Sequence, residues 1–153
     1  MSAISGTRTL HRLIYVSHQM IKPAALDETL GDIIGASIRN NRQVAMTGLL
    51  LAHDGYFLQA LEGPAEAVMN TYRRILDDRR HDGSKVLGAG PAGTRAFGSW
   101  NMCARQLSPA DTAIVDTLGR GARFDPEAMS GPAALRLLKA VRNIQDETQR
   151  AYD

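Results

Sequence analysis

The chain has 153 residues, of which 44% are hydrophobic and 22% are charged, and its formal net charge is +2. These values fit one globular domain with a substantial core, and they exclude an extensively disordered chain. The small net charge gives no indication of nucleic-acid binding, and no apolar run is long enough to span a membrane. Because Cys103 is the only cysteine, no internal disulfide can form, and we expect a cytoplasmic protein.

The N-terminal part of the chain predicts an extension, a strand and a helix. Residues 1–10 are small and polar, without the apolar core of a signal peptide, so we expect a loose N-terminal extension. Residues 11–17 are rich in β-branched and aromatic side chains, which is typical of a strand. Apolar side chains recur at helical spacing over residues 26–38, and Asn40 and Asn41 are suited to end the helix that this spacing predicts.

A β-hairpin is predicted in the middle of the chain, with strands over residues 44–52 and 56–63 joined by the turn Asp54-Gly55. In the second strand Gln59 is an amide among apolar neighbours, and side-chain alternation places it on the same face as Phe57. Burying an amide without partners costs roughly 1–3 kcal/mol. Either other protein groups satisfy Gln59 as an ordinary core residue, or a water or a ligand does so.

The remaining elements predict the fold class. Pro64 suits the first turn of a second helix, and residues 85–89 and 99–104 predict two further strands. The order is that of an α+β fold, a ferredoxin-like βαββαββ sheet with two helices on one face. The opposite face also carries apolar side chains such as Leu58 and therefore needs a cover. Residues 106–153, which contain two stretches with helical spacing, are expected to supply this C-terminal helical cap.

Several polar residues each allow two interpretations. Asn40 and Asn41 can simply cap a helix, or their carboxamides can bond the edge of a heterocyclic ring. Arg74 and Asp78, four residues apart, can form a weak surface ion pair. If they border a cleft instead, the guanidinium can hold a phosphate and the carboxylate can accept from a ring N–H.

Three large side chains are most simply interpreted as core. Trp100 and Met102 alternate on the last predicted strand and share a face, and Tyr15 lies in the first strand. A buried tyrosine hydroxyl normally finds a partner, and Gln59 can be that partner if the two strands are neighbours. The four histidines and Cys103 form no pattern typical of a metal site or an activated nucleophile.

Taken together, several separated blocks of the sequence resemble the BLUF domain, the family that senses blue light using flavin. The resemblance runs from about residue 12 to residue 105 and keeps the family's element order, which implies a flavin-binding domain over residues 11–105. The blocks that carry it are residues 13–17, 39–41, 46–50, 55–63, 78–81 and 95–102.

The resemblance implies a role for individual residues. Tyr15 matches the photoactive tyrosine, Gln59 the glutamine that links it to the flavin, and Trp100 and Met102 the pair near that glutamine. FAD is the expected cofactor, with FMN as the alternative. The implied cofactor-binding residues contact the flavin ring, pack against it or bind its ribityl-phosphate portion, and they are Asn40, Asn41, Gln59, Arg74, Asp78, Ile33, Ile34 and Phe57.

The resemblance therefore implies a blue-light photoreceptor that binds flavin non-covalently and is not an enzyme. Its Tyr-Gln-flavin hydrogen-bond switch would alter protein–protein contacts with a downstream protein, and a homo-oligomer is expected. Two alternatives belong to other classes, namely a flavin-dependent redox enzyme and a flavin-free interaction module that kept the fold. Steady NAD(P)H consumption would indicate the first alternative, and a protein that stays colourless with added flavin would indicate the second.

Overall fold

The computed structural model describes residues 9–20, 45–98 and 125–152 together with the backbone of residues 101–106, and it describes side chains in the last helix as far as Asn143. The predictions for residues 1–8, for the helix over 26–38 and for the first tail helix lie outside these ranges. The elements in chain order are β1 (Leu10–Gln19), β2 (Thr47–His53), β3 (Tyr56–Pro64), α1 (Ala65–Leu76), β4 (His81–Pro91), β5 (Asn101–Gln106), a 3₁₀ turn (Pro126–Ala128) and α2 (Gly131–Tyr152).

The strands form one five-stranded sheet in the order β4-β1-β3-β2-β5. β1 lies antiparallel between β3 and β4, β2 pairs antiparallel with β3, and β5 runs parallel to β2 at the edge. The β2–β3 hairpin turns at Asp54 and Gly55, which have φ angles of 52° and 81°. Aspartate and glycine are favoured at such positive-φ hairpin positions. The predicted ferredoxin-like α+β fold is confirmed, with β5 as the additional strand.

Helix α1 covers one face of the sheet, which we call the α1 face. Pro64 precedes the helix, Glu66 lies in the first turn and Arg73 and Arg74 lie in the last, so the charges favour the helix dipole. Its buried residues pack on side chains that alternate along the strands. The buried cluster of the α1 face consists of Leu13, Tyr15, Met46, Leu50, Ala52, Phe57, Leu61, Val68 and Tyr72.

Helix α2 covers the opposite face, which we call the α2 face. Leu58, which required a cover, is fully buried there. The start of α2 comes very close to β4, because a Cβ atom on Gly88 would lie 3.2 Å from the Cα of Gly131. A larger residue at either position would displace the helix from the sheet. The buried cluster of the α2 face consists of Ile14, Val16, Leu49, Leu51, Leu58, Ala60, Phe97, Ala134, Leu137, Leu138 and Val141.

Several predicted boundaries differ from the structure, and three of the differences follow. β4 is longer than residues 85–89, because its antiparallel pairing with β1 extends from His81 to Pro91 despite the glycines within it. β5 extends to Gln106, two residues beyond the predicted end at residue 104, whereas the predicted start at residue 99 lies outside the described ranges. Helix α1 ends at Leu76, so Asp78 lies beyond the helix and the expectation of a helical i,i+4 arrangement with Arg74 was wrong.

Candidate functional site

The centre of the candidate site is a buried hydrogen bond between Tyr15 and Gln59. The two residues lie directly opposite each other on β1 and β3, on the α1 face. Tyr15 is 2% exposed and Gln59 is 5% exposed, and the tyrosine hydroxyl donates to the Oε1 atom of the amide. The prediction that these two residues pair across neighbouring strands is confirmed.

The environment of Tyr15 keeps its phenol protonated. Burial raises the pKa of Tyr15 far above its ordinary value, and the negative charge of Asp78 acts in the same direction. Tyr15 is therefore a neutral hydroxyl over the whole physiological pH range. A neutral phenol can both donate and accept, so the pair can change its hydrogen bonding without moving a net charge.

Aromatic and imidazole side chains lie beside Tyr15. The Tyr72 ring lies 5.3 Å from the Tyr15 ring, and the His81 ring lies 6.1 Å from Tyr15 and 6.4 Å from Phe57, measured between centroids. The hydroxyl of Tyr72 lies 2.6 Å from the Ser84 Oγ atom. These contacts form a wall that is apolar in its rings and bonded at its polar atoms, which suits a site that excludes water.

His81 links the end of α1 to β1 beside Tyr15. Its Nε2 atom donates to the carbonyl of Ile75 at 2.5 Å, because a carbonyl only accepts. In the neutral imidazole, Nδ1 therefore accepts from the hydroxyl of Ser17 at 2.7 Å. The sequence analysis did not assign a role to His81 or Tyr72. His81 lies within one of the resembling blocks, and that was the available signal, whereas Tyr72 lies in none of those blocks.

The structure gives Arg74 and Asp78 separate surroundings. Arg74 is exposed on the last turn of α1, where its guanidinium reaches the Thr71 hydroxyl at 3.5 Å. Asp78 accepts from the backbone N–H of Arg80 and from its Nε atom, both at 2.9 Å. These bonds hold the pKa of the Asp78 carboxyl below its usual value. The ion pair of Asp78 is thus with Arg80, and the expectation of an Arg74–Asp78 pair was wrong.

The remaining predicted site residues stay predictions. Phe57 is buried on the α1 face, as its predicted contact with a ring requires. Met102 belongs to β5, which is separated from β3 by β2, and only its backbone is described. The other predicted site residues lie outside the described ranges, and they are Ile33, Ile34, Asn40, Asn41 and Trp100.

The described side chains offer a hydrogen-bond donor, an apolar surface and a cation that suit a flavin. The NH₂ group of the Gln59 carboxamide can only donate, and the edge of a flavin ring offers carbonyl oxygens and ring nitrogens as acceptors. Phe57 offers an apolar surface for a planar ring, and Arg74 offers an exposed cation for a phosphate. Within the described ranges no three His, Cys, Asp or Glu side chains are grouped as a metal site would require. No helix in the same ranges is long and apolar enough to cross a membrane.

A family model and several named relatives each match more than half of this chain. The family model described as "BLUF: Sensors of blue-light using FAD" matches residues 10–103. Subunit beta of the photoactivated adenylate cyclase of Euglena gracilis is 37% identical over 99 residues, which are 64% of this chain and 11% of that protein. The blue light- and temperature-regulated antirepressor BluF of Escherichia coli (strain K12) is 37% identical over 93 residues, 61% of this chain and 23% of that protein. The chain thus spans only a small part of these relatives.

Solved structures of similar proteins superpose on a larger part of the chain than the family model matches. The photo-activated state of BlsA superposes with a TM-score of 0.74 at 26% identity, covering 84% of this chain and 91% of that one. BlrB, a BLUF protein in its dark state, gives a TM-score of 0.69 at 25% identity, covering 88% of this chain and 98% of that one. The similarity to BlsA and BlrB therefore extends beyond the residues that the family model matches.

Proposed function

The chain belongs to the BLUF family, the sensors of blue light that use FAD, and on that premise we propose that light rearranges its Tyr15–Gln59 hydrogen bond and so changes a protein–protein contact. The observation that carries this proposal is the buried bond itself, which joins two neutral groups on the face that α1 covers. The chain is a flavin-using blue-light sensor by family, and the proposal concerns how its own residues perform the switch.

The hydrogen-bonding groups of Tyr15 and Gln59 allow two arrangements of the pair, which makes it suitable as a switch. In the arrangement described, the tyrosine hydroxyl donates to the amide oxygen. If the Gln59 carboxamide turns over, its NH₂ group takes the place of the oxygen and can donate to the phenolic oxygen instead. Both arrangements contain a hydrogen bond between the same residues. Their free energies can therefore lie close together, as a two-state element needs.

The cofactor would lie beside this pair. FAD supplies the absorption of blue light in this family, and FMN is the alternative. We propose that the Gln59 amide donates to an acceptor on the flavin edge in the arrangement described, and that it gives up this bond when the carboxamide turns over. The residues proposed to complete the flavin site, by ring bonding, ring packing or phosphate binding, are Asn40, Asn41, Arg74, Asp78, Ile33, Ile34 and Phe57. Trp100 and Met102 are proposed to adjust the Gln59 arrangement.

The proposed output is a change in contact with another protein and not a product. Some relatives are photoactivated adenylate cyclases, but the match covers only 11% of their length, and we propose no catalytic turnover for this chain. A downstream protein or a second copy of the chain is the proposed partner. The single cysteine also supports a reducing, cytoplasmic setting.

The experiment that tests this function is an absorption spectrum of the purified, FAD-loaded protein before and after blue light. We expect a reversible red shift in the parent protein and in Tyr56→Phe, a control on the α2 face. Gln59→Leu should retain flavin and show no red shift, since leucine keeps the volume and removes the amide. A normal red shift in Gln59→Leu would contradict the role of Gln59. Acid release and chromatography of the bound flavin distinguish FAD from FMN, and steady NAD(P)H consumption would support the redox-enzyme alternative.

A further inference from the structure

Glu62 is a buried carboxylate outside the proposed Tyr15–Gln59 switch. It lies on β3, and its residue surface is 0% exposed. One oxygen accepts from the Arg12 Nε atom at 2.8 Å and from the backbone N–H of Ala96 at 2.8 Å. The other accepts from the backbone N–H of Phe97 at 2.9 Å and from the Thr47 hydroxyl at 3.3 Å. A carboxylate removed from water requires such donors, so it holds in place the side chains and backbone N–H groups that donate to it.

Two of these donors belong to one short stretch between β4 and β5, residues 94–97, which we call the 94–97 segment. Cations at the end of the sheet hold the same segment. Arg12 donates to the carbonyl of Thr94 at 2.8 Å. Arg95 donates to the Thr47 hydroxyl and to the carbonyl of Ala45, both at 2.8 Å. The 94–97 segment is therefore bonded to β1, to β3 and to the start of β2, although it belongs to no strand.

The segment is also bonded to α2. The N–H of Ala96 donates to Glu62, and the carbonyl of the same residue accepts from the Arg142 guanidinium of α2 at 2.6 Å. Phe97 is fully buried in the cluster that contains Leu138 and Val141 of α2. One residue, Ala96, thus connects the sheet on its N–H side with the helix on its carbonyl side.

We propose that Glu62 and Arg142 form a latch on the 94–97 segment, which transmits movement of β5 to α2. β5 begins at Asn101, four residues after Phe97, so a displacement of β5 along the chain pulls on the segment. A shift of Ala96 by about 1 Å would stretch its 2.6 Å bond to Arg142 beyond hydrogen-bond range. The inference rests on the proposed function, because the light signal must first reach β5. Glu62 and Arg142 are positioning residues that act through the backbone of the segment.

The first test compares Arg142→Met with a matched control on the same helix. Arg136 is exposed and, within the described part of the chain, makes no hydrogen bond or ion pair, so Arg136→Met removes the same charge without touching the segment. Amide hydrogen exchange is measured on the FAD-loaded full chain in the dark and under blue light. The red shift should persist in both variants. The light-induced change in exchange of Gly131–Tyr152 should be largely lost in Arg142→Met and retained in Arg136→Met.

A rescue variant distinguishes the latch from general damage to the helix. Arg142→Lys keeps a cation that can donate to the Ala96 carbonyl, so it should restore most of the change in α2. An undiminished change in Arg142→Met would overturn the latch. A parent protein that shows the red shift but no exchange difference in α2 would overturn it as well. A parent protein without a red shift would instead contradict the proposed function.

The second test needs no light. Glu62→Gln nearly keeps the shape of the side chain but replaces an accepting oxygen with an NH₂ group, which cannot accept from a backbone N–H. The Ala96 or Phe97 amide that loses its acceptor should exchange faster in the dark, and faster exchange should extend to α2. Unchanged exchange at both amides would show that the carboxylate does not hold the segment. Since Glu62→Gln and Arg142→Met act at opposite ends of the latch, each tests it without the other.

Discussion

The two faces of the sheet are built from alternate residues of the same strands, yet they hold different kinds of core. The α1 face contains buried polar atoms bonded to each other, above all the Tyr15–Gln59 pair. The interior of the α2 face is a continuous layer of aliphatic side chains and Phe97. Its buried carboxylate, Glu62, lies near the end of β3 and bonds backbone groups outside the strands.

A sensor needs one part that rearranges easily and another part that moves as a unit, and the two faces of the sheet provide these properties separately. A neutral hydrogen bond contributes only about 0.5–1.5 kcal/mol net, so one such bond can be exchanged for another at small cost. Close-packed aliphatic side chains cannot rearrange without opening voids, and they therefore move together. The α1 face suits a local switch, and the α2 face suits the transmission of a displacement to α2.

The largest expected effect would come from a cavity on the α2 face. Leu138 is 0% exposed, so Leu138→Ala should lower the free energy of unfolding by about 2–5 kcal/mol. Leu76→Ala, at a leucine that is 50% exposed, should change it by no more than about 0.5 kcal/mol. Urea unfolding measures both variants. A small loss in Leu138→Ala would mean that α2 is not held by packing, and the contrast between the faces would fail.

A smaller effect is expected from the pair on the α1 face. Tyr15→Phe removes the hydroxyl that donates to the buried Gln59 oxygen and should cost about 1–3 kcal/mol of unfolding free energy. In the double variant Tyr15→Phe with Gln59→Leu, both partners become apolar, so the total loss should be less than the sum of the single losses. Urea unfolding of the four proteins gives this coupling, expected at about 0.5–3 kcal/mol. Strict additivity would contradict a direct Tyr15–Gln59 bond.

Tyr72→Phe should have a smaller effect again, because it removes one hydroxyl from the wall of the site. The bond lost is that to the half-buried Ser84 hydroxyl, and water can replace part of it, so we expect a loss of about 0.5–1.5 kcal/mol. The ring 5.3 Å from Tyr15 remains, and the red shift should therefore persist. Thermal unfolding and the light-minus-dark absorption spectrum provide the measurements. Loss of the red shift would show that the Tyr72 hydroxyl belongs to the switch.

Local chemistry explains which parts of the structure the sequence could predict. The hairpin followed from Asp54-Gly55 and its apolar flanks, because few dipeptides adopt two positive φ angles. The face shared by Gln59 and Phe57 followed from strand alternation alone. The Tyr15–Gln59 pair was predictable only on the condition that β1 and β3 are neighbours, and the sheet order fulfils it.

Partners distant in sequence or set by a local chain reversal could not be predicted. The sequence analysis assigned no role to Glu62, and two of its four donors lie 34 and 35 residues later in the chain. Asp78 bonds Arg80 because α1 has already ended at Leu76, whereas helical spacing favoured Arg74. The full length of β4 depends on its pairing with β1, which outweighs the low strand propensity of its glycines.

The smallest expected effect concerns pH and lies at the margin of the α1 face. Bonds from Arg80 lower the pKa of Asp78 in the folded state, so the folded protein favours the ionised form more than the unfolded chain does. The resulting stabilisation is fully present above the ordinary aspartate pKa of about 3.9 and is lost as the pH falls through the lowered value. Since the Asp78 and Arg80 side chains are 29% and 42% exposed, solvent screening limits this stabilisation to about 1 kcal/mol or less.

Asp78→Asn should thus be less stable than the parent near neutral pH, and the difference should shrink in acid, as measured by urea unfolding at saturating FAD. In an Arg80→Gln background most of this stability difference should disappear at every pH. Only the part that depends on the bond from the backbone N–H of residue 80 should remain. A difference between Asp78→Asn and the parent that stays constant from neutral to acid pH would show that the Arg80 ion pair does not stabilise the edge of the site.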